Sequence, residues 1–335
     1  PCRNIEHNIA DLKAQIAANE TGRQELLKVV EAFGLEVVQA YMGHVQDNAE
    51  ESVRRVIDRL RDGRFSYPMD SGLQIEVAVS VDHAARTAKV DFTGTSPQHE
   101  GNYNAPRSIA SAVVLYVFRT MVGADIPLNQ GCLKPLEVVV PEGSMLNPRY
   151  PAAVISGNTE VSQAACNALY GALGVMAGSQ ATMNNFVWGN EVFQNYETIA
   201  GGTGAGPGFH GCDAVQSHMT NTRMTDPEIL EKRFPVRLET FCIREGSGGE
   251  GRWRGGNGLT RRLRFLEPVT VTVLTNHRVV PPFGGDGGAP GEVGRNWAEW
   301  PDGRVRDMGG NDEIDLPQGA VFGMDTPGGG GWSKR

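Results

Sequence analysis

The chain has 335 residues, 40% of them hydrophobic and 21% charged, so it is long enough to bury a large core as one big domain or two smaller ones. Its 31 basic and 39 acidic residues give a net charge of −8, without a basic run that would bind nucleic acid or an anionic membrane surface. No stretch approaches the roughly 18 consecutive apolar residues of a membrane span, and the first residues do not begin a signal peptide.

Cysteine usage indicates a reducing compartment. The five cysteines are odd in number, widely scattered and without a CxxC pair. A disulfide framework or a thiolate zinc site is therefore not expected, and a cytoplasmic location is predicted. The chain starts at Pro1 without methionine and enters a helix at once, which suggests a fragment or a processed chain.

Three amphipathic helices are predicted at the start of the chain, over 5–16, 26–33 and 38–60. Gly34 is a plausible stop for the second of them. Each helix has one apolar stripe and a polar back. We therefore expect these stripes, including Val45, to pack together or onto a sheet rather than to face water.

The middle of the chain alternates strands and helices. Apolar residues at every second position over 73–81 and 88–92 predict a β-hairpin with one buried face. The segment 109–122 is apolar nearly all round and predicts a buried helix. A short strand is expected over 136–140, followed by a helix over 161–176 that is rich in small residues.

From Met183 onward the composition changes. Gly, Asn, Thr and aromatic residues dominate as far as His218, and a short helix starts at the proline of 225–228. Strands are predicted over the apolar alternations that follow, separated by glycine-rich turns: 236–243, 259–265, 269–274, and weaker ones near Val305 and Val321.

These elements predict an α+β fold. The first portion, 1–182, is helical and mixed α/β, and the second, 183–335, is glycine-rich and β-rich. No fixed repeat is present, which argues against a solenoid or a propeller.

Familiar catalytic and nucleotide-binding motifs are absent from the sequence. It has no P-loop, no HExxH and no GxSxG elbow. The glycine-rich segment 202–208 lacks the GxGxxG spacing, and Pro207 removes a backbone donor that a phosphate would need. We therefore do not expect this chain to bind ATP itself.

Polar, non-ionising residues cluster in the strings 157–160, 183–186, 189–190 and 217–222. Carboxamides, hydroxyls and free backbone amides suit a small amide or imide and can hold a developing oxyanion. The alternative is that such residues only fill turns. The candidates for binding substrate are Asn158, Thr159, Asn184, Asn185, Thr220 and Asn221, and the candidates for proton transfer are Glu197, His210 and His218.

Several long strings, in order along the whole chain, resemble the hydantoinase B/oxoprolinase family. They are 8–19 (NIADLKAQIAAN), 91–96 (DFTGTS), 126–129 (IPLN), 196–202 (YETIAGG), 217–223 (SHMTNTR), 225–228 (TDPE) and 255–258 (GGNG).

The resemblance implies a function in two parts. A hydantoinase A-type partner, separate or fused, binds ATP and phosphorylates the amide oxygen of a cyclic amide, and the B part hydrolyses the activated ring. 5-Oxoproline is the best-known substrate of the family, N-methylhydantoins and caprolactam have related enzymes, and acetone and acetophenone carboxylases resemble it. An oligomeric complex is expected.

One departure from the family pattern concerns metal. Members carry an N-terminal stretch with Asp and His ligands, resembling NDP…GGTHLPD, and this chain begins after it. We therefore assign no metal ligand here and expect any divalent metal in that preceding segment, which is either truncated or lost.

Two alternatives remain open: the chain is a structural or assembly scaffold, or it belongs to a carboxylase-type enzyme. Convergence of Asn158, Asn184 and His218 in one cleft would argue against the scaffold.

Overall fold

The computed structural model describes residues 5–220 and 222–334 and has the predicted α+β architecture. The helices are α1 (Ile5–Phe33), α2 (Leu35–Ile57), α3 (Arg107–Thr120), α4 (Ser162–Leu173) and α5 (Pro227–Arg233). The strands are β1 (Gly63–Pro68), β2 (Gln74–Asp82), β3 (Thr87–Asp91), β4 (Leu136–Val139), β5 (Asn185–Gly189), β6 (Gln194–Thr198), β7 (Val236–Ile243), β8 (Leu259–Phe265), β9 (Val269–Leu274), β10 (Arg295–Glu299), β11 (Val305–Met308), β12 (Asn311–Leu316) and β13 (Val321–Asp325). Within the described ranges no helix is both long and apolar enough to cross a lipid bilayer.

The N-terminal region forms two helices rather than the predicted three. Residues 17–25 continue α1 because they are mostly good helix formers, and Arg23 forms an i,i+3 ion pair with Glu20 at 2.7 Å. The break falls at Gly34, whose φ of 84° is a left-handed conformation that glycine adopts without a steric penalty.

The prediction that these helices bury their apolar stripes is wrong for α1, of which no residue is buried, and for Val45, which is 41% exposed. Only one side of α2 packs on the body of the protein, through Ala49, Val53 and Ile57. Apolar side chains of α1 and α2 line an open groove between the two helices, which we call the α1–α2 groove: Leu26, Val29, Phe33, Val37, Tyr41, Met42 and Val45.

The first core lies between a sheet and three helices. The sheet has the order β1-β2-β3-β4, antiparallel except for the parallel pair β3–β4, and it contains the predicted hairpin. Helices α2, α3 and α4 bury their apolar faces over it. At Gly63 a Cβ atom would lie 1.9 Å from the carbonyl oxygen of Ala172 in α4, so strand and helix approach too closely there for any side chain.

The second core lies between two antiparallel sheets, with the orders β11-β10-β13-β8-β7 and β12-β9-β5-β6. Phe186 of β5 stacks on Phe322 of β13, with ring centroids 4.4 Å apart, so the two sheets meet face to face as a sandwich. The predicted strands 236–243, 259–265 and 269–274 are confirmed as β7, β8 and β9.

The glycine-rich segments pack backbone against backbone at the end of the sandwich. A Cβ atom at Gly202 would lie 2.0 Å from the carbonyl oxygen of Gly256, and one at Gly329 would lie 1.9 Å from that of Thr203. The amide of Gly202 donates to Pro327 O at 2.9 Å and the amide of Ala205 to Gly330 O at 2.9 Å. These N–H groups are used within the fold, so the loop is not a phosphate cradle.

Two matched substitutions in α2 separate its buried and exposed sides. Val53→Asp places a carboxylate in the first core and should lower the free energy of unfolding by several kcal/mol, because the charge loses its water. Val45→Asp, in the open α1–α2 groove, should change it by less than about 1 kcal/mol. Urea unfolding of both variants is the measurement, and equal losses would mean that Val45 is buried in the folded chain.

Candidate functional site

An open cleft of about 350 Å³ lies beside the loop that contains His218. We call it the His218 cleft; its lining side chains are Ala112, Leu115, Tyr116, Leu128, His218, Met219 and Thr220. Helix α3 supplies one apolar wall, because its residues on that side are only half-buried. The cleft thus combines apolar walls with an imidazole and two hydroxyl-bearing side chains, the usual composition of a small-molecule site.

His218 is held firmly at the edge of this cleft. Its Nε2 lies 2.9 Å from Asn167 Oδ1, and its ring packs against Tyr170 and Tyr116, with centroids 5.4 and 6.2 Å away. Its φ of 57° lies in the left-handed region, an unusual conformation for histidine. Burial of the ring among these groups lowers the pKa of His218 to about 4, so the imidazole is neutral at pH 7.

Thr220 shares the cleft with His218. Its hydroxyl lies 3.2 Å from Thr222 Oγ1, and the Thr222 hydroxyl in turn bonds to that of Thr198 in β6. Asn221, the other candidate in this string, lies outside the described residues. Of the eight predicted site residues that the structure describes, two line the cleft, His218 and Thr220.

Asn184 and Asn185 are buried, and their side chains bond to other residues of the fold and do not line the cleft. Asn184 Nδ2 donates to Gln180 Oε1 at 2.8 Å, and its Oδ1 accepts from Arg278 at 2.9 Å. Asn185 Nδ2 donates to Glu160 Oε1 at 2.8 Å. Both carboxamides are therefore used in hydrogen bonds within the fold.

Glu160 is the central acidic group of this network, and it was not among the predicted site residues. It is fully buried, and Oε1 accepts from the amide of Met183 at 3.2 Å as well as from Asn185. Burial raises the pKa of Glu160 to about 8, against smaller opposing effects from its hydrogen bonds and from Arg278, so the carboxyl is mostly protonated at pH 7. Its signal in the sequence was an acidic residue directly before a helix of small, apolar residues.

Glu160 lies in a π-helical turn, Gly157–Val161, which precedes α4. Such turns are rare and occur often at functional sites. Asn158 in this turn is exposed, and its carbonyl accepts from the Ser162 hydroxyl at 2.7 Å. Thr159 is half-buried beside it.

Around this turn, several buried side-chain oxygen atoms have no hydrogen-bond partner among residues 5–220 and 222–334. They are Ser156 Oγ, Thr159 Oγ1, Glu160 Oε2, Gln163 Oε1, Gln216 Oε1 and Ser217 Oγ. Gln163 Nε2 donates to Ser217 O at 3.1 Å, which joins the turn to the His218 loop. Unpaired buried polar atoms are costly, so their concentration at one place favours a site for polar ligand atoms or water.

Glu197 and His210 lie apart from the His218 cleft. The Glu197 carboxylate forms an ion pair with Arg261 at 2.8 Å, and both side chains are almost completely buried. Burial raises the pKa of Glu197, while Arg261 opposes the shift. His210 is exposed, and its Nδ1 accepts from the amide of Arg254 at 2.9 Å. The structure therefore does not bring these two residues together with His218.

No group of three or more His, Cys, Asp or Glu side chains that could hold a metal ion occurs within the part of the chain that the structure describes. The residues present do not fit the metal site that the family pattern implies. We therefore derive no chemical step through a metal.

The fold is shared with solved enzymes. It superposes on the ATP-dependent caprolactamase from Pseudomonas jessenii with a TM-score of 0.83 and 21% identity, covering 99% of this chain and 62% of that one. It also superposes on a nucleotide-free acetone carboxylase with a TM-score of 0.86 and 19% identity, covering 99% and 53%. At these identities the likeness concerns the fold alone.

The sequence comparison identifies the family. The model of the hydantoinase B/oxoprolinase family matches residues 1–335, and the chain belongs to that family. The 5-oxoprolinase of Dictyostelium discoideum is 43% identical over 99% of this chain. The chain spans only 27% of the length of that relative.

The protonation of Glu160 predicts a pH-dependent stability. Because its pKa is raised from 4.5 to about 8, the folded chain holds a proton that the unfolded chain releases. The contribution of this proton to the free energy of unfolding is complete below pH 4.5 and is lost as the pH rises through about 8. Over that window, wild type should lose stability relative to Glu160→Gln, by at most about 1.4 kcal/mol per pH unit.

Urea unfolding between pH 5 and pH 9 measures this difference, with the exposed Glu137→Gln as the matched control. Parallel pH curves for wild type and Glu160→Gln would show that Glu160 is ionised in the folded chain.

Proposed function

We propose that this chain is the hydrolytic part of an ATP-dependent cyclic amidase of the 5-oxoprolinase type, which opens a phosphorylated lactam or hydantoin ring. The observation that carries the proposal is the 43% identity to a 5-oxoprolinase over 99% of the chain. The geometry that supports it is the His218 cleft, in which a neutral imidazole borders apolar walls large enough for a small ring.

In this proposal another protein or domain binds ATP. The chain spans about a quarter of its 5-oxoprolinase relative, and the amides of its glycine-rich loop are bonded within the fold. We assign ATP binding and substrate phosphorylation to a hydantoinase A-type partner, fused or separate, in an oligomeric complex. The exposed α1–α2 groove is the surface we expect such additional protein to cover, since large apolar patches rarely stay exposed.

The chemistry required of this chain is the addition of water to an activated ring. An unstrained lactam resists water, and phosphorylation of its oxygen by the partner makes the ring carbon electrophilic. His218 accepts a proton from the attacking water as the water oxygen bonds to the ring carbon, and the ring C–N bond then breaks as its nitrogen takes up a proton, which leaves an open-chain acyl phosphate. A second water adds to the carbonyl carbon of that acyl phosphate, and phosphate leaves with the former amide oxygen. Burial favours the neutral, proton-accepting form of His218 at pH 7.

In this scheme Thr220 and Tyr116 line the cleft and orient the ring. We place Glu197 and His210 outside the reaction, because Glu197 is paired with Arg261 and His210 is exposed elsewhere. Asn184 and Asn185 support the site from within the fold.

The scaffold alternative is favoured by one specific observation. Asn158 is exposed, Asn184 is buried and only His218 lies in the cleft, so the three do not converge. If the chain is a scaffold, the chemistry resides in the remainder of the longer relatives. A carboxylase-type activity is the other alternative, and it would consume bicarbonate and a ketone instead of water.

Substitution of His218 tests the proposal in a complete, ATP-hydrolysing complex. His218→Ala should lower the release of glutamate from 5-oxoproline by at least about a hundredfold, because the proton acceptor is gone. Binding of ATP by the partner should be unchanged. The exposed His83→Ala is the matched control and should keep wild-type turnover.

His218→Asn separates catalysis from structure. Asparagine keeps some hydrogen bonding but cannot carry the proton, so turnover should fall nearly as far as in the alanine variant. Near-normal turnover of His218→Asn would show that the histidine only supports its loop.

A further inference from the structure

A line of hydrogen bonds runs from His218 into the protein, across the boundary between the two cores. His218 Nε2 lies 2.9 Å from Asn167 Oδ1, and Asn167 Nδ2 lies 3.5 Å from the Tyr67 hydroxyl. The Tyr67 hydroxyl lies 2.5 Å from His277 Nε2, and His277 Nδ1 lies 2.5 Å from Val280 O. Four side chains are thus connected in a row to one backbone carbonyl.

The carbonyl at the inner end fixes the direction of every donor in this row. A carbonyl only accepts, so His277 Nδ1 carries a hydrogen. Burial lowers the pKa of His277, so its ring is neutral and its Nε2 accepts from the Tyr67 hydroxyl. The Tyr67 oxygen then accepts from Asn167 Nδ2, which leaves Asn167 Oδ1 to face His218.

Ser179 fixes the same orientation of Asn167 independently. The Ser179 amide donates to Asn167 Oδ1 at 3.1 Å, and Asn167 Nδ2 donates to Ser179 O at 3.0 Å. A flipped carboxamide would put two donors face to face and two acceptors face to face. Both hydrogens and both lone-pair directions of Asn167 are therefore used, and the two arguments agree on which atom meets His218.

We propose that Asn167 is a positioning residue that holds His218 in the tautomer with its hydrogen on Nε2. The lone pair of Nδ1 is then the proton-accepting position of the ring and the one left for the His218 cleft. The structural part of this inference concerns the chain itself; its catalytic consequence rests on the proposed function.

The groups that face His218 do not disturb this arrangement. Tyr116 on α3 and Tyr170 on α4 are titratable groups whose rings pack on it. Burial raises the pKa of both, so they are uncharged at neutral pH. Because these two neighbours carry no charge, the hydrogen bond from Nε2 to Asn167 is the interaction that distinguishes the two ring nitrogens.

Nitrogen-15 NMR of histidine-labelled protein reads the tautomer of His218 directly, with His218→Asn used to assign the signal. The wild-type chain should show a single Nε2-protonated form at pH 7. Asn167→Leu, which keeps the volume but removes the acceptor, should give a mixture or the Nδ1-protonated form. Asn167→Asp keeps the acceptor, so it should retain the Nε2-protonated form and raise the pKa of His218.

Asn167→Asp also serves as the test if the leucine variant does not fold. An Nδ1-protonated or mixed wild-type ring, or a pKa of His218 that Asn167→Asp leaves unchanged, would overturn the proposal. So would a folded Asn167→Leu chain that keeps the pure Nε2-protonated form.

Kinetics in the complete complex show the consequence for catalysis. Asn167→Leu should lower kcat for ring opening about tenfold or more with little change in KM. Asn167→Asp should keep much of the wild-type kcat, and the acidic limb of its pH–rate profile should move to higher pH. If His218→Ala is fully active while NMR shows the Nε2-protonated tautomer, the proposed function fails and the positioning role of Asn167 stands. If His218→Ala is inactive while NMR shows a tautomer other than the Nε2-protonated one, the proposed function stands and the positioning role of Asn167 fails.

Discussion

Polar side chains buried between the two cores must find hydrogen-bond partners, and this constraint shapes the region around the candidate site. Asn167 satisfies it completely, with Ser179 on one side and with His218 and Tyr67 on the other. Asn184 does the same between Gln180 and Arg278. Because an unpaired buried amide costs about 1–3 kcal/mol, these bonds lock the two halves of the chain in one arrangement.

The same burial leaves several titratable groups around the candidate site uncharged. Glu160 is mostly protonated, and His218 and His277 are neutral, all for the reason that the charged forms would lose their water. Neutral donors and acceptors suit a substrate that brings its own charge as a phosphate added by a partner. Arg278, which donates to Asn184, is a buried group of this network that stays charged at pH 7, because its pKa is lowered only to about 10.

Sequence patterns predicted the elements with clear periodicity and missed those without it. The hairpin of β2 and β3 alternates every second residue, and the proline of 225–228 marks the start of α5. Strand β5 was missed because it is buried on both faces and lies in an Asn- and Gly-rich region, and β1, β6, β10 and β12 were missed too. The stripe on α1 predicted a face packed on the other helices or on a sheet, and this was wrong because no residue of α1 is buried.

For the candidate site, the polar string around His218 pointed to the loop that borders the cleft, whereas Asn167 lies inside a helix of small residues and gave no such signal. Its role depends on Tyr67 and Ser179, which no local pattern relates to it. The most direct test of the account is a structure of the complete complex with a non-hydrolysable analogue of the O-phosphorylated ring. We expect the ring in the His218 cleft, on the Nδ1 side of the imidazole. A ring bound elsewhere in the complex, with the cleft empty, would contradict the account.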